Sequence, residues 1–274
     1  MRHSNYFCKR GSIIVMFVVV ASVFFTSCAT VPITGRSQLS LIPDSEMAAM
    51  SFQEYDKFLS EHQLSQNPDK IEVVKRVGNR IAGAVEQFFR DNNMAQKIEN
   101  YNWEFNLVES DEVNAWCMPG GKVVVYTGIL PVARDEIGLA VVMGHEIAHA
   151  VAGHGGERMS QGLLVELSGA ALSVALQSKP AQTRQLWMAA FGVGSQLGVM
   201  LPYSRTHETE ADHLGLIFMS MAGYDPHAAV DFWTRMAQNS GGKPPEILST
   251  HPSDETRIRN IQKFMPEALT YYRP

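Results

Sequence analysis

Apolar residues recur with helical spacing in several parts of the chain. In the clearest case Asn67-Pro68-Asp69 precedes the pattern, and proline is favoured in the first turn of a helix. Apolar side chains then follow one another at intervals of three or four residues: Ile71, Val74, Val77, Ile81, Val85 and Phe88. This spacing places them on one face, so it predicts an amphipathic helix that packs on a core.

Similar patterns predict helices at residues 44–59, 206–222, 226–238 and 254–263, with a loop rich in Gly and Pro at 239–245. Two apolar segments rich in small residues, 162–176 and 186–201, flank Lys179-Pro180 and predict a helical hairpin. Polar residues such as Glu166 and Gln196 interrupt them, so neither predicts a membrane-spanning helix. Two interpretations of the hairpin stay open, namely ordinary core packing and a lid or membrane-leaning cover.

Residues 103–128 show the pattern of short β-strands. The predicted strands are residues 103–108, 113–118 and 122–126, and Pro119-Gly120-Gly121 forms a tight turn between the last two. We therefore predict an α+β fold, mainly α, with a small, mostly antiparallel sheet. Since the chain shows no internal repeat and no linker between domains, residues 44–274 are predicted to form one domain.

The helix after this sheet is apolar nearly all round but carries the sequence H-E-I-A-H, with His145, Glu146 and His149. A helix without a polar face is buried, and buried polar groups are costly unless something satisfies them. The two histidines lie one turn apart and point the same way, so they can hold one Zn²⁺ per chain. Glu146 is offset around the helix and can reach a metal-bound water without ligating the metal.

A catalytic zinc needs a third protein ligand and an open position for water. The sequence S-R-T-H-E-T-E-A-D places Glu208 and Asp212 on one face of a partly apolar helix. We predict Glu208 as the third ligand, with Glu210 and His207 as competitors. Asp212 is predicted to accept a hydrogen bond from a ligand histidine, His145, and so to hold its tautomer.

His154 also follows the motif closely. The metzincin pattern, however, places Gly three residues and His six residues after the second motif histidine, where this chain has Ala152 and Gly155. The register fails by one residue, so we exclude that class. His154 is predicted to be a surface or helix-end residue.

The N-terminus predicts a targeting signal. Residues 1–27 combine a basic start, an apolar run at 13–25 and Thr26-Ser27 before Cys28, which predicts a lipoprotein signal peptide or, as the alternative, an uncleaved anchor. We predict lipidation of Cys28 and a tether over residues 28–43, irregular at residues 29–38. The body would then lie in the cell envelope beside a membrane, and Ala29 after Cys28 favours the outer membrane, facing the periplasm.

Composition narrows the function further. The chain has 274 residues, 45% of them hydrophobic, and its net charge of −5 argues against a nucleic-acid surface. Of its three cysteines, the processed domain would keep only Cys117 unmodified, so no internal disulfide is expected. Cys117 is predicted to be a half-buried strand residue, neither a metal ligand nor a redox thiol.

Three stretches together resemble one known family. H-E-I-A-H, S-R-x-x-E-x-E-A-D and Thr250-His251-Pro252 with Arg257-Ile258 are similar to the zinc metallopeptidases that include HtpX, the CaaX prenyl endopeptidases, the Oma-type mitochondrial proteases, BepA and LoiP. The resemblance covers roughly residues 35–261, and the chain looks most similar to LoiP-like lipoproteins. It has neither the tetratricopeptide repeats of BepA nor the spanning helices of the prenyl proteases, so docking through such repeats and prenylated substrates are not expected.

The resemblance implies a gluzincin fold in which His145, His149 and Glu208 hold zinc and Glu146 is the base. It also implies that Val113-Asn114-Ala115 forms the edge strand that pairs with substrate, consistent with peptide binding by strand addition.

The resemblance further implies a role for two C-terminal residues. His251 would lie close to the metal, where it would stabilise the transition state or occupy the open zinc position at rest. Arg257 would support His251 or contact the substrate.

The combined prediction is a membrane-anchored zinc metalloendopeptidase that cleaves envelope proteins, particularly misfolded or outer-membrane ones. A holdase or assembly factor that binds outer-membrane proteins without cutting them is the alternative, and a structural zinc with four ligands is a third hypothesis. The expected partners are polypeptide substrates, the membrane through Cys28, and the outer-membrane assembly machinery, and no nucleic acid is expected.

Overall fold

A computed structural model describes residues 28–196, 201–238 and 255–274. The strands are β1 (Cys28–Thr30), β2 (Ser37–Leu39), β3 (Glu104–Val108), β4 (Ala115–Met118) and β5 (Lys122–Tyr126). The helices are α1 (Asp44–Glu61), α2 (Pro68–Asp91), α3 (Leu130–Ala133), α4 (Glu136–Val151), α5 (His154–Ala175), α6 (Ala181–Ser195), α7 (Leu201–Met221), α8 (Ala228–Gln238) and α9 (Glu255–Tyr271). This mostly helical chain with small sheets confirms the predicted α+β class.

Local sequence signals explain where the central helices begin. The Asn67 side chain accepts a hydrogen bond from the backbone N–H of Lys70 at 3.1 Å, and Pro68 is the first residue of α2. Asp135 caps α4 in the same way, accepting from the N–H of Gly138 at 2.8 Å. The predicted start of α2 is therefore confirmed.

The three-stranded sheet has the order β3-β5-β4. β4 and β5 pair antiparallel, as predicted, with Ala115 opposite Val125, whereas β3 and β5 pair parallel, with Phe105 opposite Val123. The sheet is therefore mixed. Alternation along a strand shows which residues share a face but not which strand lies beside it, and the observed order puts β4 at the edge.

The two faces of this sheet contact different helices. Trp116, Val124 and Tyr126 pack with Tyr55 and Phe58 of α1 in a small cluster. The opposite face, which includes Ala115, Val123 and Val125, belongs to the main core together with residues of α2 and α4. The sheet thus lies between α1 on one side and α2 and α4 on the other.

Helix α4 runs through the main core, and every residue from Gly138 to Val151 is buried. It crosses α7 in direct backbone contact, because two glycines face each other there. A Cβ added to Gly215 would lie 3.0 Å from the backbone N of His145, and one added to Gly144 would lie 3.1 Å from the carbonyl O of Gly215. This close approach brings the side chains of α7 within reach of the histidines of α4.

Two regions differ from the sequence prediction. Residues 28–39 include a β-hairpin, in which Cys28 pairs with Leu39, so this part of the predicted tether is not irregular. The predicted hairpin at 162–201 is present as α5 and α6, but α6 has no buried residue. Ordinary core packing is therefore the wrong interpretation for α6. The sequence could not show this, because an apolar pattern along one helix does not tell which other elements cover it.

The lipoprotein signal at 1–27, the loop at 239–245 and His251 lie outside the described residues, and their predictions are unchanged. None of the helices in the described ranges combines the length and the hydrophobicity that crossing a bilayer requires.

The contact between α4 and α7 can be tested with Gly215→Ala. The added methyl group would push the two backbones apart, so we expect the free energy of unfolding to fall by about 1–3 kcal/mol. The control is Gly83→Ala in α2, where a new Cβ meets nothing within 4 Å. At position 83 alanine should raise the free energy of unfolding by roughly 0.5–1 kcal/mol. Urea denaturation measures both, and equal effects would contradict the close crossing.

Candidate metal centre

Three buried side chains converge where α4 crosses α7. His145 Nε2 and His149 Nε2 lie 3.1 Å apart, and each lies 3.3 Å from a carboxylate oxygen of Glu208. Together they form a group that could hold a metal ion. Ligand atoms bound tetrahedrally at about 2.0–2.1 Å from one ion lie roughly 3.3 Å apart, so the observed distances fit a divalent ion such as zinc.

The protonation state of His149 also suits a metal. Burial lowers the pKa of His149 well below its usual value, so the imidazole is neutral near pH 7 and offers a lone pair. The structure places Glu208 beside the histidine pair. The two other candidates for the third ligand have different partners: Glu210 bonds to Arg36, and His207 bonds to Glu157.

The ion pair of Asp212 and Arg257 contacts the Nδ1 side of the His145 ring. Its Nδ1 lies 3.0 Å from Asp212, and Arg257 donates to both oxygens of Asp212, through Nη2 at 2.7 Å and Nε at 2.9 Å. The guanidinium of Arg257 in turn lies over the ring of Trp233, 3.3 Å from its centroid. Asp212 is therefore where the sequence predicted it.

Arg257 was expected to support His251 or to contact the substrate. It is only 5% exposed, has its Nη1 3.6 Å from a carboxylate oxygen of Glu208, and donates to the Asp212 carboxylate. A buried arginine bonded to this carboxylate orients a metal ligand, a role that the sequence did not suggest. His251 lies outside the described residues, so its role near the metal stays a prediction.

His149 has a different support, and it corrects the prediction for His154. His154 begins α5, as a helix-end residue, but it is fully buried and not on the surface. Its Nδ1 lies 2.8 Å from Nδ1 of His149, and its Nε2 lies 3.2 Å from Glu210. Burial lowers the pKa of His154 to about 4, although the hydrogen bond to Glu210 opposes this. His154 is thus a neutral imidazole near pH 7.

The cluster around His154 contains further charges. Arg36, from the hairpin β1–β2, donates to Glu210 through Nε at 3.0 Å and to Glu157 through Nη2 at 2.7 Å. Burial raises the pKa of Glu210, but the hydrogen bonds from His154 and Arg36 outweigh it and lower the pKa to about 2. Sequence reasoning missed Arg36, because nothing in the local sequence connects residue 36 with helices more than 100 residues away.

Glu146 is buried on α4, a helix that packs against β4. Burial raises the pKa of the Cys117 thiol well above its usual value, and the negative charge of Glu146 raises it further. Cys117 is half-buried in β4, as predicted, so the carboxylate of Glu146 lies near this strand. A base beside the metal ligands and next to a strand can act on a peptide bound along that strand.

β4 lies at the edge of its sheet, and no strand among the described residues pairs with its outer side. Of the predicted substrate-binding residues, Ala115 begins β4, whereas Val113 and Asn114 precede it. The carbonyl of Asn114 accepts from the N–H of Tyr126 at 3.1 Å, on the β5 side. Backbone groups alternate along a strand, so those of Ala115 and Cys117 point outward. The N–H of Ala115 donates to the side-chain oxygen of Asn114 at 2.9 Å, so the carbonyl of Ala115 and the backbone groups of Cys117 are the ones with which an extended peptide could pair.

The metal-binding role of the cluster predicts a metal-dependent stability. Adding Zn²⁺ at about 100 times its dissociation constant should stabilise metal-stripped protein by about 2.7 kcal/mol. His145→Ala should abolish this gain. His213→Ala is the control, because His213 lies on α7 and bonds to Glu267 of α9, where the Glu267 side chain is exposed. Thermal unfolding measures this stabilisation by Zn²⁺. If Zn²⁺ stabilised His145→Ala as much as the wild type, the assignment of His145 as a ligand would be contradicted.

Comparisons with known proteins agree with this geometry. The family described as Peptidase family M48 matches residues 75–265. The chain is 34% identical over 254 residues to the mitochondrial metalloendopeptidase OMA1 of Schizosaccharomyces pombe, covering 89% of this chain and 68% of that protein. It is 32% identical over 271 residues to the mitochondrial metalloendopeptidase OMA1 of Homo sapiens, covering 96% of this chain and 50% of that protein.

A bacterial relative is more distant. The chain is 26% identical over 248 residues to the beta-barrel assembly-enhancing protease of Escherichia coli, covering 89% of this chain and 48% of that protein. The chain thus spans about half the length of the human and Escherichia coli proteins. The predicted resemblance is confirmed, and the match includes all three residues of the metal centre. The chain belongs to peptidase family M48, whose members are metallopeptidases with a divalent metal ion.

Proposed function

We propose that this chain is a zinc metalloendopeptidase that cleaves polypeptides bound in extended form along β4. The observation that carries the proposal is the arrangement of His145, His149 and Glu208 at ligand distances, with Glu146 buried next to His145 on a helix that packs against the edge strand. Two histidines and one glutamate leave one position open in a tetrahedral site, as a catalytic zinc requires.

Each residue of the site has a distinct task in this reaction. His145, His149 and Glu208 would hold the zinc, which would supply Lewis-acid chemistry: it would polarise the scissile carbonyl and lower the pKa of a water molecule. Glu146 takes the proton of the attacking water on a carboxylate oxygen and delivers it to the leaving amide nitrogen. The outward backbone groups of Ala115 and Cys117 hold the peptide in an extended conformation. His251 remains the predicted residue for transition-state stabilisation.

The proposed substrates are unfolded segments of cell-envelope proteins. A strand edge recognises peptide backbone, which any extended segment offers, so the site favours misfolded chains over folded ones. The relative named as a beta-barrel assembly-enhancing protease supports a link with outer-membrane proteins and their assembly machinery. The alternative, binding without cleavage, would use the same edge.

The proposed location is the envelope side of a bacterial membrane, most consistently the outer membrane, with Cys28 lipidated. The apolar run at 13–25 and Thr26-Ser27-Cys28 support this anchor. In the structure Cys28 lies opposite Leu39, and Leu39 lines the groove between α5 and α6 together with Leu164 and Phe191. A lipid on Cys28 would thus be attached to a strand whose partner residue, Leu39, lines this groove.

The hairpin α5–α6 carries an unusual amount of exposed apolar surface. Leu186 is 72% exposed, Leu167 65% and Trp187 56%, and charged residues along α6 are limited to Arg184. Such a surface fits a lipid bilayer, since the neighbouring Cys28 anchor would hold it there and tryptophan favours the membrane interface. We propose that this hairpin rests on the membrane that carries the anchor.

The catalytic proposal predicts the behaviour of Glu146→Gln. This variant keeps all three metal ligands, so it should bind zinc like the wild type and still bind unfolded protein. Its cleavage rate should fall by about 10²–10⁴-fold, because the base is lost. Glu166→Gln on exposed α5 is the control and should cleave normally. Hydrolysis of fluorescently labelled unfolded casein measures the rate.

Full turnover by Glu146→Gln would contradict the mechanism. If instead the wild type bound unfolded protein without cutting it, and Glu146→Gln restored function in cells, the binding alternative would replace the peptidase.

The membrane proposal predicts contact between Trp187 and lipid. In full-length lipidated protein reconstituted into phosphatidylethanolamine–phosphatidylglycerol vesicles, brominated lipid should quench part of the tryptophan fluorescence. Trp187→Phe should lose that quenching, and Trp116→Phe, which alters the cluster beneath α1, should keep it. Equal quenching in both variants would contradict the membrane contact and would point to another occupant, such as a second copy of the chain.

A further inference from the structure

The two metal-ligand histidines are supported in parallel ways. His145 Nδ1 meets Asp212, which Arg257 holds. His149 Nδ1 meets His154, which meets Glu210, which Arg36 holds. In both cases the chain of contacts ends in a carboxylate paired with an arginine, but the second chain has one imidazole more.

The hydrogen bonds of the second chain can run in one direction only. His149 faces Glu208 through Nε2, so in the neutral form that binds metal its proton is on Nδ1. That N–H donates to Nδ1 of His154. His154 must then carry its own proton on Nε2, which donates to the carboxylate of Glu210. Each step fixes the tautomer and the ring orientation of the residue before it.

The end of this chain belongs to the N-terminal hairpin. Arg36 donates to both oxygens of Glu210 through Nε at 3.0 Å, and Thr34 donates to Glu210 at 2.7 Å. The two nitrogens Nη1 and Nη2 of Arg36 bind Glu157 at 2.9 and 2.7 Å, and the side chain is only 21% exposed. Glu210 is therefore held by residues that lie outside the part of the chain matched by the family model.

We propose that His154, Glu210 and Arg36 are positioning residues for His149, and that the hairpin β1–β2 is part of the metal centre. The inference rests on the proposed function, because it assumes that His149 ligates zinc. Carboxylates and imidazoles behind a metal ligand orient it, and their loss typically weakens metal binding by about 10–100-fold. The hairpin that follows Cys28 thus contributes directly to the geometry of the zinc site.

The test compares two arginines in the full-length chain. Arg36→Gln should weaken zinc binding by about 10–100-fold, measured by competition with a chelator. Arg76→Gln is the matched control, since Arg76 also binds a carboxylate, Glu136 at 2.8 Å, but at the surface of α2. The control should bind zinc within about twofold of the wild type, because a surface ion pair contributes little.

Two further measurements separate positioning from general stability. With Co²⁺ in place of zinc, Arg36→Gln should change the absorption bands that report ligand geometry, whereas Arg76→Gln should not. Thermal unfolding of the metal-free proteins then shows how much stability each variant loses. Should Arg36→Gln fail to fold, Thr34→Val removes a single hydrogen bond to Glu210 and is expected to weaken zinc binding by roughly threefold, the effect of about one such bond.

Unchanged zinc affinity and unchanged Co²⁺ bands in Arg36→Gln would overturn the inference, even if the metal-free protein were less stable. In that case the hairpin would only stabilise the fold. Failure of the proposed function would look different, because the wild type itself would then bind no zinc or cleave no substrate.

Discussion

The structure depends on satisfying two imidazoles and a carboxylate inside an apolar core. His145 and His149 lie on a helix whose residues are buried from Gly138 to Val151, so water cannot supply their hydrogen bonds. A divalent ion accounts for one nitrogen of each ring, and the protein must supply an acceptor for the other. Asp212 does so for one histidine, and His154 with Glu210 does so for the other.

This requirement explains why distant segments meet at α4. The contact of Gly144 with Gly215 lets α7 approach closely enough for Glu208 to reach both histidines. The same helix carries Asp212 and Glu210, so one element supplies a ligand and both supporting carboxylates. A helix shift of a few tenths of an ångström at the glycines would therefore disturb every part of the centre at once.

Two elements around the metal centre have different proposed roles, one in peptide binding and one near the membrane anchor. The mixed sheet presents the edge of β4 near Glu146, where a peptide can bind in extended form. On another part of the molecule, the hairpin β1–β2 connects the predicted anchor at Cys28 with Arg36 of the buried network and, through Leu39, with the groove of α5–α6. The proposed membrane contact and the metal centre are thus connected by fewer than ten residues of chain between Cys28 and Arg36.

The sequence by itself determined the chemistry. H-E-I-A-H in an apolar helix predicts a buried metal site, and the acidic helix downstream supplied Glu208 and Asp212, because spacing of four residues has a direct geometric meaning on a helix. Only the tertiary structure decided the contacts between elements. These are the parallel pairing of β3 with β5, the exposure of α6, the bonds of Arg257 to Asp212, and the burial of His154 against Glu210, which Arg36 binds. These contacts join residues far apart in the chain, and periodicity cannot report them because it describes one helix or strand at a time.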